Sequence, residues 1–164
     1  MLKLRTFPWW APDAVKFVND YLTKDSLVLE FGGGGSSPWL ADRAKKVITI
    51  EHHPKWARMI RESNKENLEV RELSRPYNLI CKEFKDNTFD LIIVDGRDRV
   101  KCFKDAKRLV KPGGWIALDD AARERYGEAW KSVSSWKEVK YKNKDPKEMR
   151  TGSRMTWFWQ KPNE

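Results

Sequence analysis

The chain has 164 residues, enough for one hydrophobic core and too few for the second, substrate-carrying domain that a nicotinamide-dependent dehydrogenase usually needs. Its 33 Lys+Arg against 24 Asp+Glu give a formal net charge of +9, spread along the chain, which suits anionic partners such as nucleic acid, phosphorylated metabolites or acidic sugars, or serves solubility alone. No apolar run approaches the roughly 18 residues of a membrane helix, and Cys81 and Cys102 lack metal-ligand or redox spacing, so a reducing cytoplasm is the expected setting and the core their expected place.

In chain order, the opening MLKLRTFPWWAPDA has no long apolar stretch and no small-residue cleavage site, so it does not read as a secretion signal. Phe7-Pro8-Trp9-Trp10 is too aromatic for a free terminus; packing on a sheet, covering a ligand or touching a second subunit would each account for it. An amphipathic helix is expected over 12–22 and a first strand over 27–29. Four glycines follow, then a helix over 38–45 with Ser37 as N-cap and Pro38 at its first position. A second strand is expected over 47–50, a helix over 54–67, a weaker strand over 68–73 and a short helix over 75–85. Residues 91–94 form the next strand, 98–110 a helix stopped by Pro112-Gly113-Gly114, and 115–118 a further strand.

These strands are continuously apolar rather than alternating, as in parallel sheets covered on both faces. Their alternation with helices predicts a doubly wound α/β sheet. The tail changes character: 136–141 and 155–160 read as two strands around the polar loop 142–154, which carries Lys142, Lys144, Lys147, Arg150 and Arg154. The whole of 1–164 is expected to be one domain, with 1–24 an aromatic segment and helix and 136–160 a terminal hairpin.

The segment LVLEFGGGGSSPWLA carries the strongest chemical signal. A strand, a turn of bare backbone and a helix start make a pocket for a charged or nucleotide-like ligand. Dinucleotide-binding turns usually have an apolar residue two places before the first glycine and a third glycine closing the turn. Glu30 and Ser36 occupy those places here. Glu51, ending the second strand in VITIEHHP, can accept both hydroxyls of a ribose. His52 and His53 have no companion cluster for a metal; capping or surface roles fit them, and His52 is also placed to lie against an adenosine. Asp95 ends the strand in FDLIIVDG, and Asp119 and Asp120 end the strand in LVKPGGWIALDD. Open α/β sheets put ligand and chemistry at this edge. Three carboxylates gathered there repel one another unless a divalent cation, the flanking Arg97, Arg99, Arg123 and Arg125, or exposure to water compensates.

Glu30, Gly32 and Gly34 match the acidic-x-Gly-x-Gly first motif of the Rossmann-like S-adenosylmethionine-dependent methyltransferases, which the chain resembles from Pro12 to Gln160. Phe-Asp, an apolar run, Asp, then Lys-Pro-Gly-Gly before a strand is frequent in the same superfamily. The resemblance implies a mostly parallel sheet ending in an antiparallel C-terminal hairpin. It also implies S-adenosylmethionine as cofactor, held by Glu30, Gly32, Gly34, Ser36, Glu51, His52 and Asp95, with Glu30 toward the methionine amino group, often through water. Magnesium-dependent catechol-type members have an Asp after strand four and an Asp-Asn pair after strand five. Asp95 and Asp119 match two of these positions and Asp120 stands where Asn is expected, so Mg²⁺ would be held by Asp95, Asp119 and Asp120 if present.

Together these features predict a small O-methyltransferase-like enzyme with Asp95 as general base or metal ligand. The basic rim of the carboxyl edge predicts a small or medium anionic acceptor, with Arg97, Asp119, Asp120 and Arg123 toward it. Two alternatives stand beside it. A nucleic-acid (RNA) methyltransferase fits the charge, although VDGRDR occupies the place of the Pro-Pro-aromatic motif of base amino-methyltransferases. A non-catalytic cofactor-binding module fits the short chain.

Overall fold

The computed structural model describes residues 4–145 and 155–163. The basic loop positions Lys147, Arg150 and Arg154 lie outside the described residues. Seven strands form one sheet: β1 Leu27–Phe31, β2 Lys46–Glu51, β3 Leu68–Glu72, β4 Phe89–Val94, β5 Val110–Leu118, β6 Lys137–Tyr141 and β7 Thr156–Gln160. Their order across the sheet is β3-β2-β1-β4-β5-β7-β6. The first five are parallel, and β7 runs antiparallel to both β5 and β6. The expected Rossmann-like sheet and antiparallel tail are therefore present, with the last strand of the chain inserted inside the sheet and β6 at its edge.

Helices α1 Pro12–Tyr21, α2 Ser36–Ala41, α3 Pro54–Arg61, α4 Arg99–Ala106 and α5 Gly127–Lys131 accompany the sheet. The continuous apolar strand runs divide between two cores because successive side chains leave opposite faces. Val28, Val47, Leu91, Ile93, Trp115, Ala117 and Phe158 meet α1 and α2 on one side. Leu29, Ile48, Ile50, Ile92, Val94, Ile116, Leu118 and Trp159 meet α4 and α5 on the other. Phe17 of α1 anchors the first core, with its ring centroid 4.8 Å from Phe158 and 5.1 Å from Trp115. Cys81 and Cys102 are buried in the second core as free thiols.

Several elements differ from expectation. Helix α2 begins at Ser36, so Ser37 lies in its first turn instead of capping it. Helix α3 stops at Arg61, and Asn64 then turns the chain with φ 53°. The short helix of 75–85 is a 3₁₀ segment over Tyr77–Glu83. Helix α4 also tightens into 3₁₀ at Lys107–Leu109, and β5 already begins at Val110, before the glycine pair, with a bulge opposite Phe89 and Leu91. Helix α5 had no counterpart in the sequence reading; its five residues are too few to establish a periodicity. Among the described residues no helix is long and apolar enough to cross a membrane.

The connections set the site. From β1 the chain winds through β2 to β3 on one side, then returns to place β4 on the other side of β1. Such a reversal leaves a crevice between two loops at the carboxyl ends of the strands. Here those loops follow β1 and β4, and they touch: the Asp95 N–H donates to the Phe31 carbonyl over 2.9 Å.

Candidate active site

The four glycines after β1 have different reasons to be glycine. Gly32 has φ +83°, in the left-handed region that favours glycine, and a side chain there would strike the backbone of Asp95 and Gly96. A methyl on Gly33 would press into Ile60 and Thr49, and one on Gly35 would collide with the Arg5 carbonyl of the N-terminal segment. Gly34 is different. A Cβ placed there meets nothing within 4 Å. Three glycines thus satisfy the protein's own packing, while the fourth bares backbone toward an open cleft.

Glu30 lies beneath this loop and is fully buried. Ser36 and Ser37 donate their hydroxyls to its two oxygens, and Thr49 donates a third bond over 3.0 Å. Strand pairing puts Thr49 directly beside Glu30, and the first turn of α2 brings the two serines back over it. Burial pushes the Glu30 carboxyl up to about 7 despite the three donors. In the structure the Glu30 side chain is turned into the fold. Its oxygens hold α2 and β2 to β1 from below, and Ser36, expected at the ligand, spends its hydroxyl on the same carboxylate while still lining the cleft.

Glu51 works on the same loop from β2. Its Oε2 accepts the Gly33 N–H over 2.9 Å and its Oε1 accepts the His53 N–H over 2.9 Å. His52 is half-buried, with Nδ1 3.3 Å from Glu51 and its ring 6.0 Å from Tyr77. The Tyr77 hydroxyl oxygen in turn accepts the Arg97 N–H, so the β4 loop is tied to the segment after β3. His53 stands immediately before α3 without a side-chain cap.

The three carboxylates at the far strand ends separate in role. Asp119 is buried, with one oxygen accepting from the Thr156 hydroxyl over 2.8 Å. Thr156 accepts the Ala11 N–H over 3.1 Å. Asp119 therefore joins the end of β5 to β7 and the entry of α1, and its side chain also meets the Asp95 carboxyl. Asp120, at φ 52°, lies 3.5 Å from both Arg99 and Arg123. Asp95 remains partly open, its side chain 26% exposed, with Arg99 at 3.4 Å. Arg99 is itself fixed by the carbonyls of Gly96 and Asp119, at 2.9 and 2.8 Å.

Of the three compensators, arginine is supplied by Arg99 and Arg123, and Asp95 also keeps partial exposure to water. The donor set does not fit a magnesium ion, because Asp119 is engaged by both Thr156 and the Asp95 carboxyl, and the Arg99 guanidinium pairs with Asp95 and Asp120. Among the described residues no group of three His, Cys, Asp or Glu side chains is arranged to hold a metal. Burial pushes Asp95 up to about 7, with Arg99 opposing. Asp119 is raised well above the usual carboxylate range by burial and by the charge of Asp95 and Asp120.

The cleft over Gly34 is about 470 Å³ and reaches from Asp95 to an aromatic mouth. Phe7, Trp9 and Trp56 line it at 50%, 73% and 44% exposure, with Met59 beside them. The aromatic N-terminus thus divides: Trp10 enters the core at 2% exposure, while Phe7 and Trp9 border the cleft. Trp56 and Met59 were not foreseen. Their signal is a spacing of three on α3, flanking the buried Ile60 and Ala57. On the other side of Asp95, Gly96 forms part of a second hollow of about 400 Å³ that includes Arg97 and Arg123. Arg75 and Lys101 share this hollow and were also missed, because nothing in their spacing ties them to Arg97.

A family model described as "Methyltransferase domain" matches residues 29–121, more than half of the chain and the span from β1 to the loop after β5. Among solved structures, the tRNA (m1A58) methyltransferase TrmI from Aquifex aeolicus superposes with a TM-score of 0.67 at 16% identity, over 91% of this chain and 68% of that one. An rRNA methylase from Streptococcus thermophilus gives 0.68 at 13%, over 90% and 93%. A SAM-dependent O-methyltransferase from Thermotoga maritima gives 0.66 at 14%, over 92% and 65%. At these identities the likeness is one of fold. No curated sequence matches the chain.

Proposed function

The chain belongs to the methyltransferase-domain family, and from that membership we propose that it carries a methyl group from S-adenosylmethionine to an oxygen of a small or medium anionic acceptor. The observation that carries the reading is Gly34, whose missing side chain no protein contact requires and whose backbone faces the cleft containing Asp95. The residues fit the donor. Gly32 to Gly34 give a close backbone surface beside Asp95, and Glu51, which holds the Gly33 N–H at the end of β2, is assigned with His52 to the ribose and adenine end. Bound there, S-adenosylmethionine supplies a methyl made electrophilic by its sulfonium.

The chain's own residues then have three tasks. The aromatic mouth of Phe7, Trp9 and Trp56 restricts water and orients what enters. Asp95, ionised, takes the proton of an acceptor hydroxyl at its carboxylate; a group poised near neutrality suits this work. Arg99 keeps that carboxylate oriented and offsets its charge. The cations beside Gly96 favour an acceptor with negative charge.

Calorimetry with S-adenosylmethionine and S-adenosylhomocysteine tests the donor. Binding by the native chain is expected, with weakening in Gly34→Ala and Glu51→Ala; absence of binding rejects the reading. A second reading, transfer to RNA, is favoured by the net charge of +9. It requires an RNA affinity that falls steeply with salt, and little affinity at low salt removes it.

A further inference from the structure

The positive charge of this protein is unevenly arranged. Several outer cations sit beside carboxylates, as Lys16 with Asp20, Arg58 with Glu62 and Lys140 with Glu138, while Lys55, Lys82 and Lys104 stand apart from one another without a carboxylate at ion-pair distance among the described residues. In the hollow beside Gly96, Arg75, Arg97, Arg99, Lys101, Arg123 and Arg125 converge, and Asp98 is the one carboxylate in its lining. Arg75 spends its fork on Asp98, at 3.0 and 2.8 Å. Arg99 and Arg123 are engaged by Asp95 and Asp120. Arg97, Lys101 and Arg125 are exposed and have no carboxylate at ion-pair distance among the described residues. Arg125 instead lies 5.0 Å over the Tyr126 ring and donates to its hydroxyl over 3.2 Å.

Arg97 and Arg125, with Lys101 sharing the field of Asp98 with Arg75, leave an excess of positive charge in one concavity, an arrangement that a bound polyanion relieves. We propose that this hollow binds a phosphate or diphosphate group of the acceptor, through Arg97, Lys101 and Arg125. Guanidinium forks match phosphate oxygens two at a time, and a phosphate monoester brings close to two negative charges at neutral pH where a carboxylate brings one. The cations converge on one concavity of about 400 Å³ instead of forming a stripe, which suits a terminal group better than a polymer backbone. Gly96 joins the hollow to Asp95, so a hydroxyl on the same small molecule reaches the carboxylate while its phosphate is held. That last step rests on the methyl-transfer reading of the cleft; the anion site does not.

The test is calorimetry on the full chain with inorganic phosphate and pyrophosphate, with acetate at matched ionic strength and without methyl donor. The native protein is compared with an Arg97→Ala/Lys101→Ala/Arg125→Ala variant and with a control of equal charge, Lys16→Ala/Lys82→Ala/Lys131→Ala, each checked for folding by circular dichroism. Pyrophosphate should bind native and control proteins alike, bind the first variant roughly tenfold or more weakly, and bind better than acetate. Equal affinity in both variants, or acetate as effective as pyrophosphate, overturns the site. So does a short RNA that binds through the same three residues while phosphate and pyrophosphate do not. Titration with S-adenosylmethionine separates the two proposals. Unchanged donor affinity in the first variant is expected, and phosphate binding by a chain that ignores the donor would leave this site standing while removing the transfer reaction.

Discussion

At the scale of single residues, a buried acid and a partly open one divide structure from chemistry. Glu30 satisfies three hydroxyls in a place without water, so Glu30→Ala leaves Ser36, Ser37 and Thr49 without their acceptor. A loss of about 3 kcal/mol or more is expected in denaturant unfolding, since each unsatisfied buried group costs about 1–3 kcal/mol. Asp95 is the opposite case. Asp95→Asn should keep donor affinity and lose about a hundredfold or more in transfer rate. In the native enzyme kcat/KM should rise with pH through about 7 as Asp95 ionises. Stability should move the other way. Both carboxyls are raised to about 7 in the fold, so the unfolded chain releases their protons first. Their contribution is full below the usual carboxylate range and is lost as pH rises through 7. Thermal melts from pH 5 to pH 8 should show this decline, and Glu30→Gln/Asp95→Asn should flatten it.

At the scale of elements, the glycine loop offers a sharper contrast than any single acid. Gly35→Ala forces the N-terminal segment off the loop, because the Arg5 carbonyl occupies the space of the new methyl. Gly34→Ala adds a methyl to an empty cleft. Melting should therefore fall in the first variant and change little in the second, while donor affinity falls in the second. The sequence made this loop legible as a ligand turn, since apolar strand, glycines and helix start are local signals. It did not reveal how Glu30 is held, because a motif names a residue without saying which way its side chain turns. The hydroxyls six and seven positions later were the available clue. Helix lengths were overread at α3 and α4 for a related reason: apolar spacing persists through a left-handed Asn64 and through a 3₁₀ turn. The carboxyl-edge acids were legible as a group. Their separation into a buried tie, an arginine-paired acid and a titrating acid depends on Thr156 and Ala11, which are remote in sequence.

At the scale of the molecule, the sheet should be most resistant at β1 and β4, which are flanked by strands on both sides, and least at β3 and β6, which are its edges. Amide hydrogen exchange should rank them so, with Lys137–Tyr141 exchanging well before Leu27–Phe31. The position of β7 has a consequence for biosynthesis. A ribosome delivers residues from the N-terminus onward, so β6 emerges before β7, the strand it pairs with among the described residues, and the exposed flank of β5 stays bare meanwhile. Thr156, which locks Asp119 to the start of α1, arrives in that same late strand. A nascent chain halted after β6 would thus display two unzipped edges to chaperones, and its half-made carboxyl rim would be mute until translation carried Thr156 into place.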